Sequence, residues 1–323
     1  MKFRTEIEVR PLQHSIDYGQ QIVSLGSCFA DNMARRLKEC KFNVVASPTG
    51  ILFNPASIGN AVDMMLSQRK ITPQELISSN DEYFSYDFHS SLSGASIEEA
   101  LEGMNRAIMV GGEALRRADH VIITLGTAWV YRLKSSGNVV ANCHKQPHAL
   151  FSRERLSVAE IVDILQRAIS QLEHRPQIIL TLSPVRHIGE GAEDNSLSKA
   201  ILRVAIDELC RTNDNVTYFA AYELLMDDLR DYRFYADDLV HPSSAAVEYI
   251  SCKFFDAALS PRAKETMEGV AEIQRASRHR PANIHSEQHK AFCRKQLELI
   301  AKYNNVDFTE EKRHFEQMLQ INL

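Results

Sequence analysis

The chain has 323 residues, of which 44% are hydrophobic and 24% are charged, as in an ordinary soluble globular protein. Its net charge of −5 gives no basic surface, so neither nucleic acid nor an anionic membrane is an expected partner. No segment approaches the roughly 18 uncharged apolar residues that a membrane helix needs. The N-terminus lacks the apolar segment of a signal peptide. The six cysteines are scattered without a Cys-x-x-Cys motif, so we expect free thiols and a cytoplasmic protein.

Short apolar segments alternate with helical patterns along most of the chain. The predicted strands lie at residues 21–25, 42–46, 120–125, 177–182 and 216–219. The predicted helices lie at residues 30–39, 55–67, 97–117, 158–173, 196–211 and 243–259. This alternation is typical of a parallel sheet with helices on both faces. The sequence therefore predicts a three-layer α/β/α domain.

Two segments depart from this alternation. Residues 131–143 contain short apolar runs around Gly137 and Asn138, which predicts a small inserted hairpin. Residues 261–323 are highly charged and helical in pattern. We predict a catalytic domain at residues 1–260 and a C-terminal helical extension at residues 261–323. The extension is expected to be a packing appendage whose removal leaves a folded core. There are two alternatives for the extension. It could form an oligomerisation surface, in which case the protein is a homo-oligomer, or it could form a lid over the pocket.

A hydroxyl and a thiol lie where the first predicted strand meets the first helix. Residues 26–30 read Gly-Ser-Cys-Phe-Ala. A strand-to-helix turn of this kind exposes a nucleophile and aims backbone N–H groups at a developing oxyanion. The nucleophile is either Ser27 or Cys28, and at the helix start the dipole is expected to lower the pKa of the Cys28 thiol. The alternative is structural, with Cys28 as a small buried residue and Ser27 as an N-cap.

An Asp-x-x-His motif near the other end of the α/β segment complements this turn. Asp238 and His241 lie three residues apart, just before a predicted helix. A tight turn there lets the carboxylate accept from one imidazole nitrogen and leaves the other nitrogen to take a proton. Asp237 is an alternative carboxylate, and a non-catalytic approach to a helix with Pro242 in its first turn is the structural alternative. Together, the turn and this motif predict an acyl-transfer enzyme.

Other polar residues near predicted strand ends suggest ligand contacts. Arg186 follows the fourth strand, at the edge where ligands bind in open α/β folds, and it either holds an anionic substrate group or pairs with an acidic helix. Cys143, His144 and His148 lack a second ligand cluster with zinc spacing, so no metal is expected. No cofactor is expected either.

The chain resembles the GSCFA family, which is named after the pentapeptide at residues 26–30 and is similar in fold to the GDSL/SGNH hydrolases. The resemblance covers about residues 2–256. The motifs that carry it lie at residues 26–30, 49–55, 125–131, 142–147, 183–187 and 232–242. It implies a flavodoxin-like, SGNH-type order of the parallel strands.

The resemblance also implies roles for site residues. Laid on the Gly-Asp-Ser turn of SGNH hydrolases, it places Ser27 at the Asp position and Cys28 at the nucleophile position. It carries Asp238 and His241 over as triad partners. The Gly-x-Asn oxyanion block of these enzymes corresponds to residues 126–128, where Ala128 stands at the Asn position. The candidates for oxyanion and substrate contacts are therefore Gly50, Asn54, Gly126, Thr127, Asn142 and His144, with Arg186 for an anionic group.

Two functional hypotheses follow. The first is an SGNH-like hydrolase, such as an esterase, or an acyltransferase that uses an acyl-enzyme and acts on an ester or thioester of a small molecule or glycan. The second is a non-catalytic binding module that retains the fold and the pocket. Ala128 favours the binding module, whereas the retained nucleophile, Asp and His favour the enzyme.

Overall fold

The computed structural model of the chain describes residues 4–281 and 283–320, and its centre is a five-stranded parallel sheet. The strands are β1 (Gln21–Gly26), β2 (Asn43–Ala46), β3 (Ile77–Ser79), β4 (Glu82–Phe84), β5 (His120–Leu125), β6 (Trp129–Leu133), β7 (Val139–Val140), β8 (Phe151–Arg155), β9 (Gln177–Leu182) and β10 (Val216–Phe219). The central sheet has the order β10-β9-β5-β1-β2, with every neighbouring pair parallel. This is the flavodoxin-like order, and it confirms the predicted fold class and all five predicted core strands.

The helices cover both faces of this sheet. They are α1 (Cys28–Glu39), α2 (Pro55–Ser67), α3 (Ile97–Arg117), α4 (Val158–Ser170), α5 (Ala192–Thr212), α6 (Ala221–Glu223), α7 (Ser244–Ala258), α8 (Pro261–Arg278), α9 (Glu287–Ile300) and α10 (Thr309–Gln320). Successive strand residues point to opposite faces. Accordingly, Val121 and Ile123 pack with α2 to α5, whereas Ile122 packs with α1 and α7. Among the described helices, none has the length and apolar character to cross a membrane.

The predicted hairpin near residues 131–143 forms, but it belongs to a larger unit. Strands β6 and β7 pair as expected, and β8 adds a third antiparallel strand on the other side of β6. The β8 segment has a single apolar residue, so its sequence carries no strand pattern. It is held instead by backbone pairing, by the Arg132–Glu154 ion pair at 2.7 Å and by Arg153 stacked over the Trp129 ring at 3.7 Å.

The C-terminal helices pack against the layer that contains α1. Phe308 and Phe315 are buried in the same apolar cluster as Phe29 of α1. Lys41, just after α1, makes an ion pair with Glu311 of α10 at 2.9 Å. The extension therefore supports the helix that begins at Cys28, and the division of the chain at residue 260 stays a prediction.

We predict that Phe315→Ala lowers the free energy of unfolding by about 3–5 kcal/mol, because this ring is 1% exposed within the shared cluster. Urea denaturation followed by circular dichroism measures the effect. The control is Gln317→Ala, at an exposed position of the same helix, with an expected change within about 0.5 kcal/mol. An unchanged midpoint for Phe315→Ala, or a separate early transition of the C-terminal helices, would contradict a shared core.

Candidate active site

The turn between β1 and α1 depends on a glycine. Gly26 has a φ of +128°, and a Cβ at this position would collide with the backbone carbonyl of Thr124 on β5. The backbone can therefore approach the neighbouring strand closely only without a side chain. Ser27 follows as the N-cap residue, and Cys28 is the first residue of α1. The glycine thus places the thiol at the carboxyl edge of the sheet.

The two candidate nucleophiles differ in access to solvent. Ser27 is 0% exposed, and its Oγ donates a hydrogen bond to Oγ of Ser183, just beyond β9, at 3.0 Å. Cys28 is only half-buried. Because a nucleophile must reach its substrate, the difference in exposure favours Cys28 over Ser27.

Cys28 does not have the lowered pKa expected from its place at the helix start. Burial raises the pKa of the thiol above its ordinary value, because the thiolate loses its contact with water. The backbone N–H groups of Phe29 and of Cys28 itself, and the charge of Lys199, act in the opposite direction, whereas Asp31 adds to the rise. The expectation of a lowered pKa is therefore wrong, and a protonated thiol needs a base.

Asp238 and His241 form the predicted pair. Nδ1 of His241 donates to Oδ2 of Asp238 at 2.7 Å, and Oδ1 of Asp238 accepts from the backbone N–H groups of Val240 and His241 at 2.9 Å each. These three hydrogen bonds lower the pKa of Asp238 to about 2. With Nδ1 as the donor, Nε2 of His241 is left to take a proton.

Two hydrogen bonds hold this loop at the end of β9. The backbone N–H of Arg186 donates to the carbonyl of Val240 at 3.0 Å, and Nη1 of Arg186 donates to the carbonyl of Leu239 at 3.3 Å. Because Ser183 of the same segment binds Ser27, both halves of the predicted triad are attached to it. Within residues 4–281 and 283–320, no hydrogen bond joins the Cys28 thiol to the His241 ring.

Arg186 also lines a cavity of about 460 Å³ with Tyr222, Tyr232 and Tyr235. Its guanidinium lies 5.9 Å from the ring centre of Tyr232 and 5.5 Å from that of Tyr235. No carboxylate of the described residues makes an ion pair with it. Binding of an anionic group by Arg186 stays a prediction.

The backbone N–H groups of the loop after β5 already donate hydrogen bonds within the protein. The N–H groups of Gly126 and Thr127 both donate to the carbonyl of Phe53, at 2.8 and 2.9 Å. The N–H of Ala128 donates to Oγ of Ser198 at 2.8 Å. In this arrangement, none of the three amides is available to an oxyanion.

Of the remaining oxyanion candidates, Gly50 and Asn54 differ in whether they have an N–H group that is free to donate to an oxyanion. The N–H of Gly50 donates to the carbonyl of Ser47 at 2.8 Å, and Gly50 lines a cavity of about 450 Å³ that runs along α1 from Asp31 to Lys38. Oδ1 of Asn54 caps α2 by accepting from the N–H of Ser57 at 2.8 Å. The side-chain nitrogen of Asn54 donates to none of the described residues, so Asn54 remains a candidate donor.

Asn142 and His144 hold their own loop together. Oδ1 of Asn142 accepts from the N–H of His144 at 2.7 Å. Nε2 of His144 contacts the carbonyls of Ser85 and Phe88 at 3.1 and 3.0 Å, and the ring stacks on Phe84. These contacts hold the His144 ring in its loop. The side-chain nitrogen of Asn142 donates to none of the described residues, so Asn142, like Asn54, remains a candidate donor. No group of three metal-ligating side chains occurs among the described residues.

Lys199 is the site residue that the sequence analysis missed. It is 2% exposed, and its Nζ donates to the carbonyls of Gly126 at 2.7 Å and Ser183 at 2.8 Å. Burial lowers its pKa to about 7. A sequence signal existed, because Lys199 shares the helical face of Leu202 and Ile206, where a core residue is expected.

His187 is a second buried basic residue that was not singled out. Its Nε2 has no hydrogen-bond partner among the described residues. Burial, followed by the charges of Lys199 and His241, lowers the pKa of His187 to about 4. The ring is therefore neutral at neutral pH, and it lies within electrostatic reach of both Lys199 and His241.

We predict that Lys199 makes stability depend on pH between about 7 and 10.5. The folded-state pKa of about 7 lies below the ordinary value of 10.5, so unfolding takes up a proton in this range and stability rises with pH. Relative to Lys199→Gln, the wild-type free energy of unfolding should rise by about 1 kcal/mol per pH unit. Urea denaturation of both proteins at several pH values measures this difference. A difference that is independent of pH would contradict the lowered pKa.

Two protein-family models match this chain and together cover most of its length. No curated protein matches its sequence. The C-terminal domain of the GSCFA domain proteins matches residues 270–321, which covers α9, α10 and the second half of α8. The GSCFA family model matches residues 21–254, from the first residue of β1 into α7. Because this second match spans more than half of the chain, the protein belongs to the GSCFA family.

Proposed function

We propose that this protein is an acyl-transfer enzyme, either a hydrolase or an acyltransferase, that acts on an ester or thioester of a small molecule or glycan. The nucleophile is the Cys28 thiol, His241 is the general base, and Asp238 orients the His241 ring. The resemblance to SGNH hydrolases supports these assignments by motif position.

The observation that carries this proposal is the Asp238–His241 hydrogen bond of 2.7 Å at the sheet edge where α1 begins. A carboxylate on Nδ1 fixes the tautomer in which Nε2 is basic and stabilises the imidazolium that forms. Both side chains are about half exposed, at 49% and 47%, so Nε2 is open to substrate. An ion pair that is this exposed contributes little to stability, so a purely structural role does not account for it.

Because burial raises the pKa of Cys28, the thiol has to lose its proton as it reacts. As the sulfur attacks the acyl carbon, the S–H bond breaks and its proton passes to Nε2 of His241. The bond to the leaving alkoxide or thiolate then breaks, and the leaving group takes that proton. Water or another acceptor finally attacks the thioester carbon and gives its proton to Nε2 of His241. The bond between that carbon and the Cys28 sulfur then breaks, the acyl group leaves on the acceptor, and the sulfur takes the proton back from His241.

The start of α1 supplies the donors for the oxyanion. The N–H groups of Cys28 and Phe29 belong to the first turn, where an α-helix leaves its amides without acceptors. Both lie close enough to the Cys28 sulfur to lower its pKa. They therefore suit an oxyanion that forms on the carbon attached to that sulfur. The side-chain nitrogens of Asn54 and Asn142 are the candidates for a further donor.

A second candidate function is a binding module that retains the fold. The hydrogen bonds of residues 126–128 favour it, because they leave the loop after β5 without a free amide. Such a protein would bind an acyl ester without forming a covalent intermediate.

The proposal is tested by trapping an acyl-enzyme with an activated acetyl ester, followed by acid quenching and peptide mapping. We expect stoichiometric acetylation of Cys28 that is lost in Cys28→Ala and retained, with modestly slower formation, in Ser27→Ala. Acetylation of the exposed Cys252 provides the background rate for a thiol outside the site. Label that persists in Cys28→Ala and disappears in Ser27→Ala would assign the reaction to Ser27. Labelling of Cys28 no faster than Cys252 would favour the binding module.

A further inference from the structure

Lys199 is a buried amine that faces no counter-charge among the described residues. Its side chain lies inside the core, and no Asp or Glu of the described residues makes an ion pair with it. A buried ammonium without a carboxylate is costly, and it persists only where dipoles or a reacting group stabilise it. The dipoles here are the carbonyls of Gly126 and Ser183.

These two carbonyls belong to the strand ends that flank the β1 turn. Gly126 follows β5, and Ser183 follows β9. Ser183 also accepts the hydrogen bond from Ser27, the residue before Cys28. Lys199 is therefore attached to the same framework that positions the thiol. Two of its three N–H groups are used in this way.

We propose that Lys199 is a positioning residue for the nucleophile, and that its buried ammonium stabilises the Cys28 thiolate as the thiol loses its proton. Below its pKa of about 7, Lys199 carries three protons and keeps them in this step, because the thiol proton passes to His241. The role in turnover rests on the proposed function, whereas the stabilisation of the thiolate is a property of the folded protein alone.

The other charged groups near the pair do not replace this interaction. Asp31 disfavours the thiolate, and His187 is neutral at neutral pH. On the remaining side, the Nζ of Lys199 lies 5.9 Å from the ring centre of Tyr222. His241 lies within electrostatic reach of His187, and it is the proposed acceptor of the thiol proton. Lys199 is thus a buried cation of the described residues whose charge favours the Cys28 thiolate.

The test is alkylation of Cys28 by iodoacetamide as a function of pH, with the modified cysteine identified by peptide mapping. In Lys199→Gln, the amide still donates to backbone carbonyls but carries no charge. We expect alkylation of Cys28 near pH 6, where Lys199 is protonated, to slow about threefold in the variant, since a less acidic thiol is a stronger nucleophile once ionised. Well above pH 7, where Lys199 is neutral, the rates of the variant and the wild type should converge.

The matched control is Arg211→Gln, which removes one positive charge from an exposed position of the same helix. Its Cys28 profile should coincide with that of the wild type. Identical Cys28 profiles for the wild type and a folded Lys199→Gln would overturn the proposal. So would an equal shift in Arg211→Gln, because the effect would then come from net charge.

The pH dependence of Cys28 alkylation in the wild-type protein tests the coupling to Lys199 without a variant. The Cys28 rate should show an inflection near pH 7, where Lys199 loses its charge, in addition to the step of the thiol itself. A single step would contradict the coupling. Absence of an acyl-enzyme would remove the proposed function and leave this result intact, so the two failures are distinguishable.

Discussion

A chain of hydrogen bonds joins three neighbouring strand ends beneath the candidate active site. Ser27 donates to Ser183, and Lys199 donates to the carbonyls of Ser183 and Gly126. The ends of β1, β5 and β9 are thereby fixed relative to one another. Hydrogen bonds to a charged group contribute about 1.5–3 kcal/mol each, more than neutral ones. The position of the thiol depends on this chain, because Cys28 directly follows Ser27.

The same environment explains why the thiol is not ionised in advance. Burial destabilises the thiolate more than the N–H groups at the start of α1 and the charge of Lys199 stabilise it. In the proposed reaction, Cys28 therefore needs a base as a serine nucleophile does, and the proposed base is Nε2 of His241. A helix start lowers the pKa of a cysteine only where water or a strong counter-charge also reaches the sulfur.

The sequence predicted those parts of the fold whose residues carry a local pattern. The five core strands are apolar because both faces are covered, and the Asp-x-x-His spacing alone indicated a hydrogen-bonded turn. Strand β8 was missed because it is held by pairing with β6 and not by its own composition. Lys199 was missed because its partners lie 73 and 16 residues away and are backbone carbonyls, which leave no trace in residue types.

Whether the Asp238–His241 pair drives acylation of Cys28 is measured most directly by single-turnover acylation with an activated ester. The matched variants are Asp238→Asn and Asp237→Asn, which remove the same charge from adjacent residues. We expect Asp238→Asn to slow acylation about a hundredfold or more, because an amide no longer holds the ring with Nε2 as the base. Asp237→Asn should stay within about twofold of the wild type, since such a neighbour leaves the Nδ1 hydrogen bond intact. Equal rates in all three proteins would contradict a catalytic role for the pair.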